Sequence, residues 1–469
     1  LVRACAVFVL FIASFTYVTA QINATGTIAS RALGIPFEAG VWVGLISILI
    51  CSMLGGMRAV TWTQVAQYIV LIIAYLIPVF WISSNVGGGI FPHLMLGDEV
   101  ARLGELEQQF GLVKNSAADM KAAGVPGGLK YISGTHSGVP EGGMAVWKYL
   151  SLAICMMVGT ASLPHILMRY FTTPTVRAAR KSVAWSLFFI FLLYSSAPML
   201  ATLSKLALMD PNLPTGIIGK SISEVQSIEW VQRWSEVKQV FIADFNGDGI
   251  LQLNEWFMRG DVVVLATPEV AGLPFVISGL VFAGGMAAAM STADGLVLAI
   301  SNALSHDIYY KIINPKAETA KRLLVARVLL VIIGAAGAYI ASFRLTSILG
   351  SVAWAFDFAM SGLFFPLVLG VWWKRATREG AIAGIISGIV SGTVYLTWVF
   401  PKFSVPLWGG VNTPFLGIDH LRFGLIGAPI CLVVMVVVSL MTKEPSPATQ
   451  KLVDDTRIPT GKAILGKQH

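Results

Sequence analysis

Hydrophobic positions in this chain come in unbroken runs of about twenty residues rather than in alternation. They recur at roughly 4–26, 38–56, 64–84, 146–168, 182–206, 270–304, 323–343, 347–373, 380–400 and 424–442, each long enough to cross the hydrocarbon core of a bilayer as a helix. The short alternation that marks barrel strands is missing from these runs, and a helix satisfies its backbone N–H and C=O groups within its own segment. The pattern predicts an all-α, polytopic membrane helix bundle of about ten spans over residues 1–442. Two long polar loops interrupt it, at roughly 86–143 and 207–264, and a Pro-containing polar tail with little fixed structure follows at 443–469.

Composition agrees with this reading: 55% of residues are hydrophobic and only 12% charged, with a mean hydropathy of +0.74, far from a soluble domain. The basic residues crowd a few short loops. Arg169, Arg177, Arg180 and Lys181 fill one, Lys311, Lys316, Lys321 and Arg322 a second, and Lys374, Arg375 and Arg378 a third. Alternating spans put all three on one face together with Arg3, Arg58 and the tail, and Lys and Arg in short loops mark the cytoplasmic side. The two long loops then lie outside. This topology accounts for the net charge of +8 without nucleic acid as a partner, and it places the chain in a cell membrane, that of a bacterial inner membrane being the expectation. Cys5, Cys51, Cys155 and Cys431 all fall inside spans and read as small hydrophobes.

The sharpest local motif lies in the second long loop. "DFNGDGILQLNE" places Asp244, Asn246 and Asp248 at alternate positions, then Gly249, and Glu255 at the twelfth place. This is the calcium-loop spacing, in which the Ile250 carbonyl, Gln252 and a bidentate Glu255 complete the oxygen set. The other reading is a hydrophilic Asx-turn loop.

Within the spans, Gly159 and Pro164 bracket Thr160, Ala161 and Ser162, which predicts a broken helix opening on a central cavity where backbone groups hold ions or anionic solutes. A Pro kink satisfied by its own hydroxyls is the alternative. The run "AGGMAAAMSTADGLVLAI", 283–300, carries hydroxyls and a carboxylate in an otherwise apolar helix. Ala288, Ser291 and Thr292 stand at i, i+3 and i+4, on one face, where two hydroxyls and a carbonyl freed by local unwinding converge as a hard-cation site. Back-bonding of both hydroxyls to a carbonyl one turn earlier is the competing reading. Asp294 favours the site, because a carboxylate within a span costs about 2.5 kcal/mol or more.

The segments "MLGGMRAVTWTQVAQYIVL", "GTASLPHILMRYFTTPTVRAARKS" and "AMSTADGLVLAISNALSHDIYY" resemble those of the solute:sodium symporters, in particular the cation/acetate branch, and the resemblance runs from residue 1 to about 442. It implies a LeuT-type inverted-repeat core that couples sodium influx to uptake of a small solute. Ser291 and Thr292 match the family's sodium-binding hydroxyl pair, and Ala288 the carbonyl donor. Relatives with a second sodium carry an Asp at the place of Gln64 and a hydroxyl at the place of Asp294; here the two are exchanged. That implies a second cation site moved toward Asp294, or a carboxyl there that carries a proton.

Sugar-transporting relatives present amide and aromatic side chains ahead of the broken helix, and "AICMMVG" offers none, so the resemblance implies a small monocarboxylate rather than a sugar. The resemblance also implies about three further helices ahead of Leu1, one of them supplying the rest of the sodium site. Sodium is thus the expected coupling ion, calcium a second candidate ion, and the lipid bilayer and a small solute the expected partners, with a small membrane subunit left open. The alternatives are symport of proline, pantothenate or a sugar, and a transport-inactive membrane sensor with the calcium loop as its input. An enzyme is disfavoured, since no nucleophile–base pair stands out in the spans.

Overall fold

The apolar runs fold as helices, and several helix starts carry the side-chain oxygen that an N-terminus requires. Thr175 accepts the Ala178 N–H at 3.1 Å, Ser347 that of Gly350 at 3.1 Å and Thr377 that of Gly380 at 3.2 Å. The computed structural model describes residues 1–86, 89, 91–110, 117–126, 130–131, 143–167, 169–170, 173–400 and 414–457. Parts of the loop expected at 86–143, the end of the tail at 458–469 and the side chain of Arg58 lie outside the described residues.

In chain order the helices are α1 (Val2–Leu33), α2 (Phe37–Val86), α3 (Pro92–Phe110), α4 (Ala117–Ala122), α5 (Gly143–Ser162), α6 (Pro164–Leu167), α7 (Val176–Met209), α8 (Ile222–Ser227) and α9 (Glu229–Glu236). There follow α10 (Val263–Val270), α11 (Phe275–Asn302), α12 (Thr319–Ser342), α13 (Ile348–Ala359), α14 (Phe365–Trp372), α15 (Arg378–Val399), α16 (Gly424–Met441) and α17 (Pro447–Asp455). Two π-helical segments, Ala303–Ile313 and Met360–Phe364, extend α11 and join α13 to α14. Among the described residues, eight helices are long and apolar enough to cross a membrane, and Phe37–Met53 and Val146–Ser162 are shorter apolar helices. The chain is a multi-pass membrane helix bundle.

One expectation holds and one is corrected. The spans foreseen at 38–56 and 64–84 both lie in the helical stretch α2, which folds back between them: Val41 meets Gly26 of α1 and Ala74 meets Gly284 of α11, while the neighbouring Gly285 meets Ile28 of α1, whereas a straight helix would set Val41 and Ala74 about 50 Å apart. The tail has more structure than its composition suggests. Ser446 caps α17, Asp454 pairs with Lys374 at 2.7 Å, and the Arg457 guanidinium lies 5.5 Å from the Trp372 ring centre.

The two long loops meet. Strands β1 (Lys130–Tyr131), β2 (Val240–Ile242) and β3 (Trp256–Met258) form an antiparallel sheet in the order β1–β3–β2. Its core is continuous with the bundle, since buried Trp234 and Trp256 share one apolar cluster with Met199, Leu203 and Leu206 of α7 and Leu265 of α10. Arg31, near the end of α1, closes this junction. It donates to Glu269 at 2.7 Å and lies 5.0 Å from the Trp234 ring centre, while the Trp234 indole N–H donates to the same carboxylate at 2.5 Å.

Elsewhere the helices approach closely where side chains are small. Gly384 and Gly388 of α15 face Met435 and Cys431 of α16.

Candidate functional site

α11 carries the site. Its 28 residues are helical without interruption, so the Ala288 carbonyl is not freed by unwinding, and that part of the expectation is corrected. The hydroxyls gather the oxygens instead. Ser291 Oγ donates to the Ala288 oxygen at 2.9 Å and Thr292 Oγ1 to the same oxygen at 3.3 Å. Three oxygens therefore share one half-buried face of the helix. Back-bonding, the competing reading, is the arrangement seen: both hydroxyl protons go to the Ala288 oxygen, and the hydroxyl lone pairs are what a cation could still use.

Gln64 and Asp294 both come to this part of α11. The Gln64 amide donates to the Ser291 carbonyl at 2.5 Å. Asp294 is fully buried; one oxygen accepts from Ser52 Oγ at 2.8 Å and the other, Oδ2, has no hydrogen-bond partner. Next to it, a Cβ on Gly295 would sit 3.0 Å from Arg169 Nη2 and 3.9 Å from Gln64 Nε2. Ser52 and Arg169 escaped the sequence reasoning. Ser52 reaches α11 across 242 residues, and Arg169 was counted only as one of the basic residues that set orientation.

The helix breaks within the expected bracket, at its Pro164 end. α5 runs through Gly159, Thr160, Ala161 and Ser162, and only Leu163 separates it from α6, which starts at Pro164. Gly159 is a packing position, since a Cβ there would lie 2.5 Å from the Phe356 Cβ. Thr160 donates to Met156 O at 2.6 Å and Ser162 to Gly159 O at 2.9 Å, so the hydroxyls serve the end of their own helix. Beyond the break, α6 packs against α11.

A cavity of about 230 Å³ lies between α2, α7, α10 and α11. Leu71, Ala74, Leu193, Val281 and Gly284 line it, and Ala288 forms part of its wall. It is apolar, apart from Tyr75, and below the range of drug-sized pockets.

The loop from Asp244 to Glu255 is closed by its own backbone. Asp244 accepts from Gly247 N at 2.7 Å and Gly249 N at 3.1 Å, with Gly249 at a φ of 71° that a side chain would strain. The Asn246 and Gln252 amides both donate to Asp248 Oδ2 at 2.8 Å. The Ile250 N–H, helped by those amides, holds the Asp248 carboxyl below its usual range. Glu255, expected as a bidentate ligand, is fully buried and accepts from Phe245 N at 2.8 Å and Gln252 N at 3.0 Å. Among the described residues no three His, Cys, Asp or Glu side chains converge as a metal-holding group.

Glu255→Ala removes the acceptor of two backbone amides and should destabilise the loop domain by about 3 kcal/mol. Thermal unfolding followed by tryptophan fluorescence checks this. Repeating it in calcium and in chelator tests the sequence expectation, which requires a calcium-dependent rise that Glu255→Gln abolishes.

The sequence profile of the Sodium:solute symporter family matches residues 1–221 and 262–388, passing over the loop that holds Asp244–Glu255. The chain is 36% identical to an uncharacterized symporter of Cupriavidus necator, over 97% of this chain and 77% of that protein. It is 26% identical to a monocarboxylic acid transporter of Corynebacterium glutamicum, over 79% of this chain and 58% of that protein. Among solved structures, a Na+-coupled sialic acid symporter in a substrate-bound outward-open state shares the fold with a TM-score of 0.59 at 15% identity, covering 95% of this chain and 75% of that one. The family and these relatives are transporters, and the chain is a transporter and not an enzyme. By the match over residues 1–221 and 262–388 and the identity to the Cupriavidus necator symporter, the chain belongs to the sodium:solute symporter family.

Proposed function

We propose that this chain couples sodium influx to the uptake of a small monocarboxylate such as acetate across a bacterial inner membrane. Membership of the family carries the coarser statement, a sodium-coupled transporter. Within it the sodium is assigned to Ser291, Thr292 and the Ala288 carbonyl, which stand together on one face of α11 and would exchange their mutual hydrogen bonds for the ion. Asp294, with one unpartnered oxygen beside these groups, is the candidate for a second cation or a proton, and Gln64 fixes the backbone between them. The monocarboxylate rests on the relative named a monocarboxylic acid transporter and on the lack of amide and aromatic side chains in "AICMMVG". Calcium, if the Asp244–Glu255 loop takes it, has a structural role on the outer side.

The test is uptake by the full-length protein in proteoliposomes under an imposed sodium gradient, with acetate, pyruvate, proline and glucose in parallel. Accumulation of acetate or pyruvate that collapses with the gradient is the expected result. Accumulation of proline or glucose instead would replace the solute, and no gradient-driven uptake of any of the four would favour the sensor reading.

A further inference from the structure

Asp357 lies inside α13 with no exposed surface, and neither of its carboxyl oxygens makes a hydrogen bond of good geometry, although the Cys155 thiol and the Phe423 and Gly424 N–H groups are its near neighbours. One turn later Ser361 is equally buried, and its hydroxyl is unpartnered. Residues at i and i+4 share a helix face, and this face meets α15 and α16. Asp357 Oδ1 is 2.7 Å from the place of a Cβ on Gly424, and Ser361 Cβ is 2.7 Å from that of Gly427. The Gly388 carbonyl comes within 2.7 Å of the same Gly427 position, so backbones fill the space around the two side chains.

The charged and titratable neighbours offer Asp357 no counter-ion. From α5 comes the Cys155 thiol. Ahead of α16, Arg422 is committed to Asp419, with further bonds to Lys148 O at 2.9 Å and Ser151 Oγ at 3.4 Å. On α15, Tyr395 donates to Ile418 O at 2.7 Å, and on α1 the Tyr17 ring packs edge-on against Phe356. A bare carboxylate in such a place costs several kcal/mol. A proton removes that cost and needs no cavity.

We propose that Asp357 is a proton-binding site within the membrane bundle, separate from the sodium triad on α11, with the Ser361 hydroxyl as its polar neighbour. The Phe423 and Gly424 N–H groups at the start of α16 lie close by and favour the anion once the proton leaves, so the proton is exchangeable. The π-helical segment that begins at Met360 is where the helix can yield to let water in.

Infrared spectroscopy of the full-length protein in nanodiscs tests this, using carboxyl-labelled ¹³C-aspartate in an Asp294→Asn background. The expected result is a label-shifted carboxylic-acid C=O band at neutral pH that disappears on alkaline titration and is absent from Asp357→Asn. No label-shifted band at neutral pH would show an ionised Asp357 held by α16 and overturn the proposal. So would a band that vanishes on adding sodium at constant pH, because the carboxyl would then serve the metal. The first two measurements need only the labelled Asp294→Asn protein, so a poorly folding Asp357→Asn does not remove the test.

Discussion

Replacing Ser291 and Thr292 together by Ala raises the sodium concentration for half-maximal uptake about a hundredfold, while the protein still folds. Each hydroxyl contributes one ligand oxygen to a desolvated cation, and losing a hydrogen-bond-type contact to a charged group costs about 1.5 kcal/mol. Two such losses come to about 3 kcal/mol, or two decades in affinity. Stability should change little, because each hydroxyl bonds only to the Ala288 carbonyl of its own helix, and Ala is the better helix former. The single variants should each shift the midpoint about tenfold. Sodium titrations of uptake, beside melting curves of the purified variants, separate binding from folding. A double variant with wild-type sodium dependence would move the coupling site away from α11.

Gly388→Val leaves little folded protein, and Gly388→Ala lowers the thermal midpoint clearly. A Cβ at this position meets the Ser361 carbonyl oxygen well inside contact distance and lies 2.7 Å from the Cys431 Cβ. The first obstacle is backbone and cannot turn aside, so α15 must move off α16 and off the π-helical segment at Met360–Phe364. Overpacking of this kind costs about 1–3 kcal/mol, more where backbone is displaced. Gly370→Ala in α14 is the control, since nothing lies within 4 Å of a Cβ there; it should leave the midpoint unchanged or raise it. Gel filtration in detergent and thermal unfolding of the two variants decide between them. Equal effects of Gly388→Ala and Gly370→Ala would refute the close contact.

How much of this was legible beforehand depended on the range of the signal. The spans were, because a run such as 424–442 announces its own length and needs no partner. The triad was, because i, i+3 and i+4 on one helix is local geometry. The separation of the runs at 38–56 and 64–84 was legible too, and α2 carries both and folds back between them. The end of α5 was legible from Pro164, which disfavours helix at the residue before it, whereas Ser52 and Arg169 depended on distant packing, which no local spacing encodes. Glu255 matched a motif letter for letter, yet the motif does not say whether its oxygens face an ion or two backbone amides. Asp357 is the opposite case: one carboxylate in the apolar run at 347–373 is visible on the page, and its cost in a membrane was reason enough to single it out.

Biogenesis must contend with the Arg31–Glu269 pair. The two residues are 238 positions apart, so α1 enters the membrane with a guanidinium whose counter-charge has not yet been synthesised. At roughly 5–20 residues per second, the wait is on the order of 10–50 s. Trp234, which shares the Glu269 carboxylate, emerges shortly before it. The end of α1 can therefore lock only after the loop domain and α10 have left the ribosome, which makes this junction a late step in assembly and exposes Arg31 to chaperones and quality-control proteases until then.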